Sequence, residues 1–389
     1  MLRVLTLSTL YPDRVRPGFG SFVARQTQAL AGQPEVEVRV VAPLGLPIPS
    51  LRRSLHRQLA VLPLIETFDG LSVARPRFST WPGPAGRGNG RRMAKVLVPF
   101  LASLRGGFPF DVIDAEFFWP DGVAAVVLGA HFGVPVSIKA RGSDINHWAT
   151  VPAVRRRILA AARAADGLLA VSDALAERMA AIGIDRERVT VHHTGVDSTL
   201  FHPVDRAAAR AALELRSPLF VTIGTLNANK GQAIAIDALA AVPDATLILV
   251  GDGPDREKLA ARAAERGLAE RVRLTGQIAP AELAPLIAAA DAVVQPSANE
   301  GLANVWVEAL ASGTPVIATA AGGIAEVLDR PAAGRIVARD PESVAAAMRA
   351  ILANPPAQAA VQAAAARFSW DGNGAALAAH LERLVAQRH

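Results

Sequence analysis

Short apolar runs alternate with helix-length segments along the whole chain. The runs include Val4–Leu7, Val36–Val41, Val112–Asp114, Val134–Ile138, Gly167–Val171 and Val189–His192. They continue with Leu219–Ile223, Thr246–Val250, Val272–Leu274, Ala292–Val294 and Val316–Ala318. A strand covered by helices on both faces has no polar side, so it reads as such a run instead of a strict alternation. The pattern predicts an α/β protein of doubly wound, Rossmann-like type. It restarts near residue 217, after Gly195-Val196-Asp197, Phe201-His202-Pro203 and a helix-like stretch, Arg206–Leu215. Two domains follow, 1–200 and 201–370.

One segment breaks the rhythm. Trp81 to Gly90 is rich in proline and glycine and is expected to be a mobile loop. Arg91 to Leu101 follows, with basic residues at its start and an apolar body. Two readings stand side by side: a helix lying in a membrane interface, or a helix packed on the sheet with its arginines in water.

Length and composition fit this picture. The 389 residues suit two cores of ordinary size, and 51% hydrophobic against 20% charged residues argues against disorder. The chain has no cysteine, which removes disulfides, thiolate metal sites and a cysteine nucleophile. The start, Met1 to Leu10, is expected to be the first strand, because its apolar stretch is too short for a secretory signal. No apolar stretch reaches the roughly 18 residues of a membrane span. Charge is uneven: residues 1–200 carry 24 Lys and Arg against 16 Asp and Glu, and the remainder 17 against 19. A basic first half suits an anionic partner. Without zinc-finger spacing or aromatic-rich strands, a phosphate ligand or an anionic membrane surface is expected, and nucleic acid is not.

The strongest chemical signal is Asn299-Glu300-Gly301-Leu302-Ala303-Asn304-Val305-Trp306-Val307-Glu308, between one predicted strand and the next helix. That position is the carboxyl edge of the sheet, where ligands of doubly wound folds bind. Amides from Gly301 to Asn304 at a helix start can receive phosphate or sugar oxygens, and Gly301 permits close approach. A carboxylate such as Glu308 can accept both hydroxyls of a ribose. Were the whole interval helical, Glu300 and Glu308 would stand about 12 Å apart along the axis, too far to act on one bond. They are expected to hold opposite ends of one long ligand. Gly224 to Gly231 ends another strand and carries Lys230, which either reaches a diphosphate as a point charge or is an ordinary surface lysine. Gly18 and Gly20 open the first helix, where the backbone can approach a ligand or simply turn. Gly251-Asp252-Gly253-Pro254 reads as structural. Arg141 and Asp144 follow a strand of the basic half, either facing a ligand or paired with each other.

These residues resemble the family-4 retaining glycosyltransferases of the GT-B fold, over about residues 1–370. The most specific element is the Glu-x7-Glu motif at Glu300 and Glu308, with Lys230-Gly231, Val250-Gly-Asp-Gly-Pro254, Ala170-Val-Ser172 and Phe201-x-Pro203 in support. The opening Tyr11-Pro12 and Pro17-Gly18-Phe19-Gly20-Ser21-Phe22-Val23 looks like the subgroup that builds bacterial cell-surface polysaccharides such as teichuronic acid. The resemblance implies two domains facing a cleft, with a last helix, from about 371, crossing back to the first domain. It implies a hexosyltransferase that uses a UDP- or GDP-linked sugar on a glycan or lipid-linked acceptor, with no cofactor; the lack of an Asp-x-Asp motif and of any His/Asp/Glu cluster at metal-ligand spacing adds the expectation that no metal is used. Lys230, Glu300 and Arg141 would be catalytic. Gly20, Gln277, Ile278, Gly301, Leu302, Ala303, Asn304 and Glu308 would bind the donor, and Asp144 would lie on the acceptor side. A cytoplasmic protein, held peripherally at the inner membrane leaflet, is expected.

Two departures stand out. Thr225 occupies a position where the family usually has a second diphosphate-binding arginine. Arg141 stands where many members have histidine, and arginine cannot act as a base. A nucleotide-sugar 2-epimerase and a non-catalytic nucleotide-sugar-binding subunit remain alternatives. A dinucleotide dehydrogenase does not, since no strand leads into Gly-x-Gly-x-x-Gly.

Overall fold

The computed structural model describes residues 1–81, 83–215 and 218–388. The chain divides into two compact units: 1–194 together with 370–389, and 195–369. The expected restart at Ser217 lies outside the described residues.

The first unit is built on an eight-stranded sheet. Its spatial order is Val189–Val191, Gly167–Ala170, Val136–Ala140, Val112–Ala115, Leu2–Leu7, Val36–Val41, Leu71–Ala74 and Ile65–Phe68. Neighbours run parallel except for the last pair, an antiparallel hairpin turned by Asp69 and Gly70, both at positive φ. This hairpin, and a two-stranded ladder of Leu44–Pro47 with Arg77–Thr80, were not foreseen in the apolar pattern. Leu2 and Val4 pack on one face against Val23 and Leu30 of the Ser21–Ala31 helix and Leu377 and Leu381 of the Trp370–Ala386 helix. That last helix thus completes the first unit's core.

The second unit has six parallel strands, in the order Val272–Gly276, Thr246–Val250, Leu219–Ile223, Ala292–Gln295, Val316–Thr319 and Gly334–Val337. Alternate residues of Leu219–Ile223 serve opposite cores. Phe220 joins Leu247, Leu249 and Val294 under the helices that carry Ile236 and Met348. Leu219 and Val221 join Ile248 and Leu286 on the other face. Both sides are apolar because both sides are covered.

In both sheets the chain starts in the middle, winds outward one way, and returns to the other side of its first strand. Connections after the two central strands therefore leave in opposite directions and open a crevice at their carboxyl ends. The central pair is Leu2–Leu7 with Val112–Ala115 in the first unit, and Leu219–Ile223 with Ala292–Gln295 in the second.

The Trp81–Gly90 region is not a continuous loop: Gly83–Gly86 forms a helical turn, and a helix runs from Asn89 to Leu104. Pro82 lies outside the described residues. The long helix buries Met93, Ala94, Leu97 and Leu101 and packs against the Val123–Phe132 helix, so protein, not lipid, covers its apolar stripe.

Candidate functional site

In the second unit the two central strands deliver Lys230 and Glu300 to one place. The Gln295 side chain ties the strand ends together: its Nε2 donates to the Ile223 carbonyl at 2.7 Å. Beyond them the two loops are laced. The Ala298 amide donates to the Asn229 carbonyl at 2.7 Å, the Asn299 amide to Asn229 Oδ1 at 3.1 Å, and Asn229 Nδ2 to the Asn299 carbonyl at 3.0 Å. Gly231 has φ of 72°, and a Cβ there would lie 2.2 Å from the Pro296 carbonyl oxygen. Only glycine lets the Lys230 loop lie this close to the neighbouring turn. Lys230 Nζ then donates to Glu300 Oε1 at 2.6 Å, with both side chains partly open to solvent.

The segment after Glu300 is not helical. The helix runs from Asn304 to Ala311, with extended Ala303 as its cap residue. The backbone amides of Leu302, Ala303 and Asn304 find no acceptor among the described residues, while the Gly301 carbonyl accepts from the Gly323 amide at 2.8 Å. Free amides at a helix start form an anion-receiving surface. Glu308, one turn into the helix, is half-buried, and its carboxylate has no hydrogen-bond or ion-pair partner among the described residues. Burial alone pushes its pKa up to about 7. The carboxylate is only partly withdrawn from water, and groups with a pKa raised in this way gather where a ligand supplies the partner.

Arg339 was missed in the sequence. Its Nη2 donates to the Ala228 carbonyl at 2.8 Å and its Nε to the Pro296 carbonyl at 3.0 Å, clamping both site loops. It lies after the Gly334–Val337 strand, and nothing local marks it. Thr225 is exposed, and its carbonyl accepts from Gln232 Nε2 at 3.0 Å. Gln277 and Ile278 follow the edge strand, Val272–Gly276. Gln277 is exposed, whereas Ile278 leans on the core around Leu219 and Leu286.

Gly20, Arg141 and Asp144 belong to the first unit. Gly20, at φ of 68°, would place a Cβ 2.2 Å from the Leu10 carbonyl oxygen, so the turn into the first helix demands glycine. Arg141 does not pair with Asp144. Its guanidinium meets Glu116 and Gln26 Oε1, the latter at 3.2 Å, and lies 5.1 Å from the Phe22 ring centre. Asp144 is fully buried and collects backbone amides: Gly142 at 2.8 Å, Arg141 at 3.1 Å, and Phe118 and Ile145 at 3.2 Å. It organises the loop that carries Arg141. Burial raises its pKa, the amide bonds notwithstanding.

Behind Arg141 sits a polar cluster that the sequence reading did not assemble. Lys139, fully buried, donates to Gln26 Oε1 at 2.5 Å and lies 2.6 Å from His192 Nδ1. His192 Nε2 lies 2.9 Å from the Asn373 carbonyl, which can only accept, so Nε2 carries the proton and Nδ1 accepts from the lysine. Burial, then Arg141, depress the Lys139 pKa, and burial, then Lys139, depress that of His192. Burial opposes the Glu116 charge, but Arg141 and Lys139 outweigh it and hold that carboxylate below its ordinary range. Asp114 beside it is pushed up by burial and by Glu116. Asp121 accepts the Thr9 amide at 2.7 Å and hydroxyl at 2.8 Å, yet burial pushes it up to about 7. Glu116 and Asp121 follow the strand beside Leu2–Leu7, and their one sequence signal was charge at the end of an apolar run.

Among the described residues no group of three or more His, Asp or Glu side chains is arranged to hold a metal ion, and no helix is long and apolar enough to cross a membrane.

Comparison with known proteins adds to this geometry. The model of glycosyltransferase family 4 matches residues 18–200, and that of the glycosyl transferases group 1 matches residues 217–354. The D-inositol 3-phosphate glycosyltransferase 1 of Catenulispora acidiphila is 32% identical over 403 residues, covering 95% of this chain and 92% of that protein. TuaC of Bacillus subtilis (strain 168), named for teichuronic acid biosynthesis, is 28% identical over 342 residues, covering 85% and 84%. Among solved structures, sucrose-phosphate synthase from Thermosynechococcus elongatus superposes with a TM-score of 0.81 at 21% identity over the full length of both chains. HepE of Anabaena, solved in complex with UDP, superposes with a TM-score of 0.74 at 21% identity, covering 98% of this chain and all of that one. These last two likenesses are of fold.

Proposed function

The chain belongs to the family-4 glycosyltransferases, and from that premise we propose that it transfers a hexosyl group from a UDP- or GDP-linked sugar with retention of configuration. The proposed acceptor is a cell-surface glycan or its lipid-linked precursor, and no resident metal takes part. The observation that carries this reading is the 2.6 Å contact of Lys230 with Glu300 at the switch point of the second sheet, beside helix-start amides and a Glu308 carboxylate that find no partner among the described residues. HepE, of similar fold, has been solved with UDP and with UDP-glucose, and TuaC is named for teichuronic acid biosynthesis, which supports the donor and acceptor classes.

Each group has a task in this reading. Glu308 accepts the two ribose hydroxyls. The Leu302, Ala303 and Asn304 amides and the Lys230 ammonium receive the diphosphate, whose charge grows as the sugar leaves. Thr225 contributes no cation, so leaving-group stabilisation rests on Lys230 and the helix start. Glu300 holds the lysine in place and faces the transferred sugar. The C1–oxygen bond to the diphosphate breaks as the acceptor oxygen bonds C1 on the same face. The acceptor proton passes to the departing phosphate oxygen, so no protein base is needed.

The test is to incubate the protein with radiolabelled nucleotide sugars and a bacterial lipid extract. Label entering a lipid-extractable glycan with the donor's anomeric configuration is expected. Label released only as free sugar would indicate an epimerase-like reaction, and binding without turnover a non-catalytic subunit.

A further inference from the structure

Residues 38–110 hold eleven arginines and lysines against two acids, Glu66 and Asp69. Inside this stretch the chain leaves the carboxyl edge of the first sheet, forms the Leu44–Pro47 strand, a 3-10 turn at Pro49–Leu51 and a helix at Ser54–Ala60. Leu59 and Leu62 anchor the excursion on Leu44 and Leu46. The other large aliphatic side chains between Leu51 and Ile65 stand exposed. Leu51 is 51% exposed, Leu55 42%, Val61 83%, Leu64 48% and Ile65 60%. These fifteen positions, 51–65, thus hold five of the eleven large apolar residues that stand exposed among the described residues.

Arg52, Arg53 and Arg57 are interleaved with them. None makes a salt bridge among the described residues; Arg52 and Arg57 donate to the carbonyls of Pro47 and Arg52. Trp81, itself exposed, follows the strand whose ladder pairs Thr80 with Pro47, which sets it beside the start of the same excursion.

We propose that this face docks on an anionic lipid bilayer, with the arginines on headgroup phosphates and Leu51, Leu55, Val61, Leu64, Ile65 and Trp81 in the boundary between headgroups and acyl chains. Uncompensated arginines alone would suit any polyanion. Branched aliphatic side chains set among them gain nothing from a nucleic-acid backbone, whereas a bilayer receives both kinds of group at adjacent depths. Tryptophan favours that boundary as well.

The inference deepens the function proposed above and rests on it for one point, the lipid-linked class of the acceptor. Leu44 and Leu59 also wall a pocket of about 210 Å³, together with Thr9, Trp119 and Trp148, which follow other strands at the same carboxyl edge. A face seated on the membrane would present this pocket to headgroup-level substrates.

Co-sedimentation of the full chain with vesicles tests the proposal. Binding to vesicles of mixed phosphatidylcholine and phosphatidylglycerol is expected, with little to phosphatidylcholine alone. Arg52→Glu, Arg53→Glu and Arg57→Glu combined should weaken it by at least about a hundredfold. Leu55→Ser with Val61→Ser should also weaken it while keeping every arginine. Melting temperature, and its rise with added UDP, should stay at wild-type values in both variants, which separates loss of docking from loss of fold or of donor binding. Equal binding to both vesicle types, wild-type binding by either variant, or preference for single-stranded RNA over anionic vesicles would overturn the docking surface. Glycosyl transfer to a water-soluble acceptor analogue is scored separately, so the enzyme assignment stands or falls on its own.

Discussion

The ammonium of Lys230 lies 2.6 Å from Glu300 Oε1, across a gap of seventy residues in the chain. Neither residue is near the other in sequence; strand order brings them together. Leu219–Ile223 and Ala292–Gln295 pair in parallel at the centre of the second sheet, and each ends in a loop that carries one of the two charges. The pair is also neutral overall, so the lysine of the proposed diphosphate site is already held in place, with amide donors beside it.

Glu308 should make donor binding depend on pH. Its pKa stands at about 7 because burial disfavours the charge, so the carboxyl is largely neutral below that value and ionised above it. An ionised carboxylate accepts ribose hydroxyls better. Affinity for UDP, measured by titration calorimetry, should fall as pH drops from about 8 to about 6. Glu308→Gln should bind more weakly at the upper end and show a flat profile. The same slope in wild type and variant would remove Glu308 from the donor site.

Arg339 is a positioning residue. Arg339→Met removes the two bonds that hold the Ala228 and Pro296 carbonyls, so the loops bearing Lys230 and Glu300 lose their clamp. Donor KM should rise about three- to tenfold, in line with the loss of charged hydrogen bonds at a partly exposed site. The melting temperature should change little. Arg339→Lys should recover part of the affinity, and an unchanged KM in Arg339→Met would show that the loops hold without it.

Strands such as Leu219–Ile223 were legible because burial on both faces leaves an uninterrupted apolar run. The Ile65–Phe68 strand was not, since an edge strand with exposed Ile65 and Thr67 leaves no such run; its Asp69-Gly70 turn was the available signal. For Asn89–Leu104, the basic entry and apolar body of Arg91–Leu101 announced a helix but not what covers it. The Glu-x7-Glu segment was readable as a strand-to-helix connection, although its first four residues are loop. The pairing of Arg141 with Glu116 was not readable, because it depends on adjacent strands contributing residues 25 positions apart.

His380 should couple the last helix to acidity. Its Nε2 lies 3.1 Å from Ser137 Oγ, and burial, then Arg383, depress its pKa to about 4. The unfolded chain takes up this proton near pH 6.5, whereas the folded chain resists until about pH 4, so this contribution to stability is lost as pH falls through that window. The full effect is at most about 3 kcal/mol. Buried acids such as Asp144 act in the opposite sense, so the comparison must be with His380→Gln. Denaturant midpoints should show wild type losing its advantage over the variant between about pH 6.5 and about pH 4. A constant difference across that range would exclude the titration.

The most direct test is the single-turnover rate of sugar transfer by Lys230→Ala at saturating donor. The account predicts a fall of at least about a hundredfold, as expected for loss of a charge that meets the leaving oxygen, in a variant that still melts cooperatively. Transfer at the wild-type rate would contradict it.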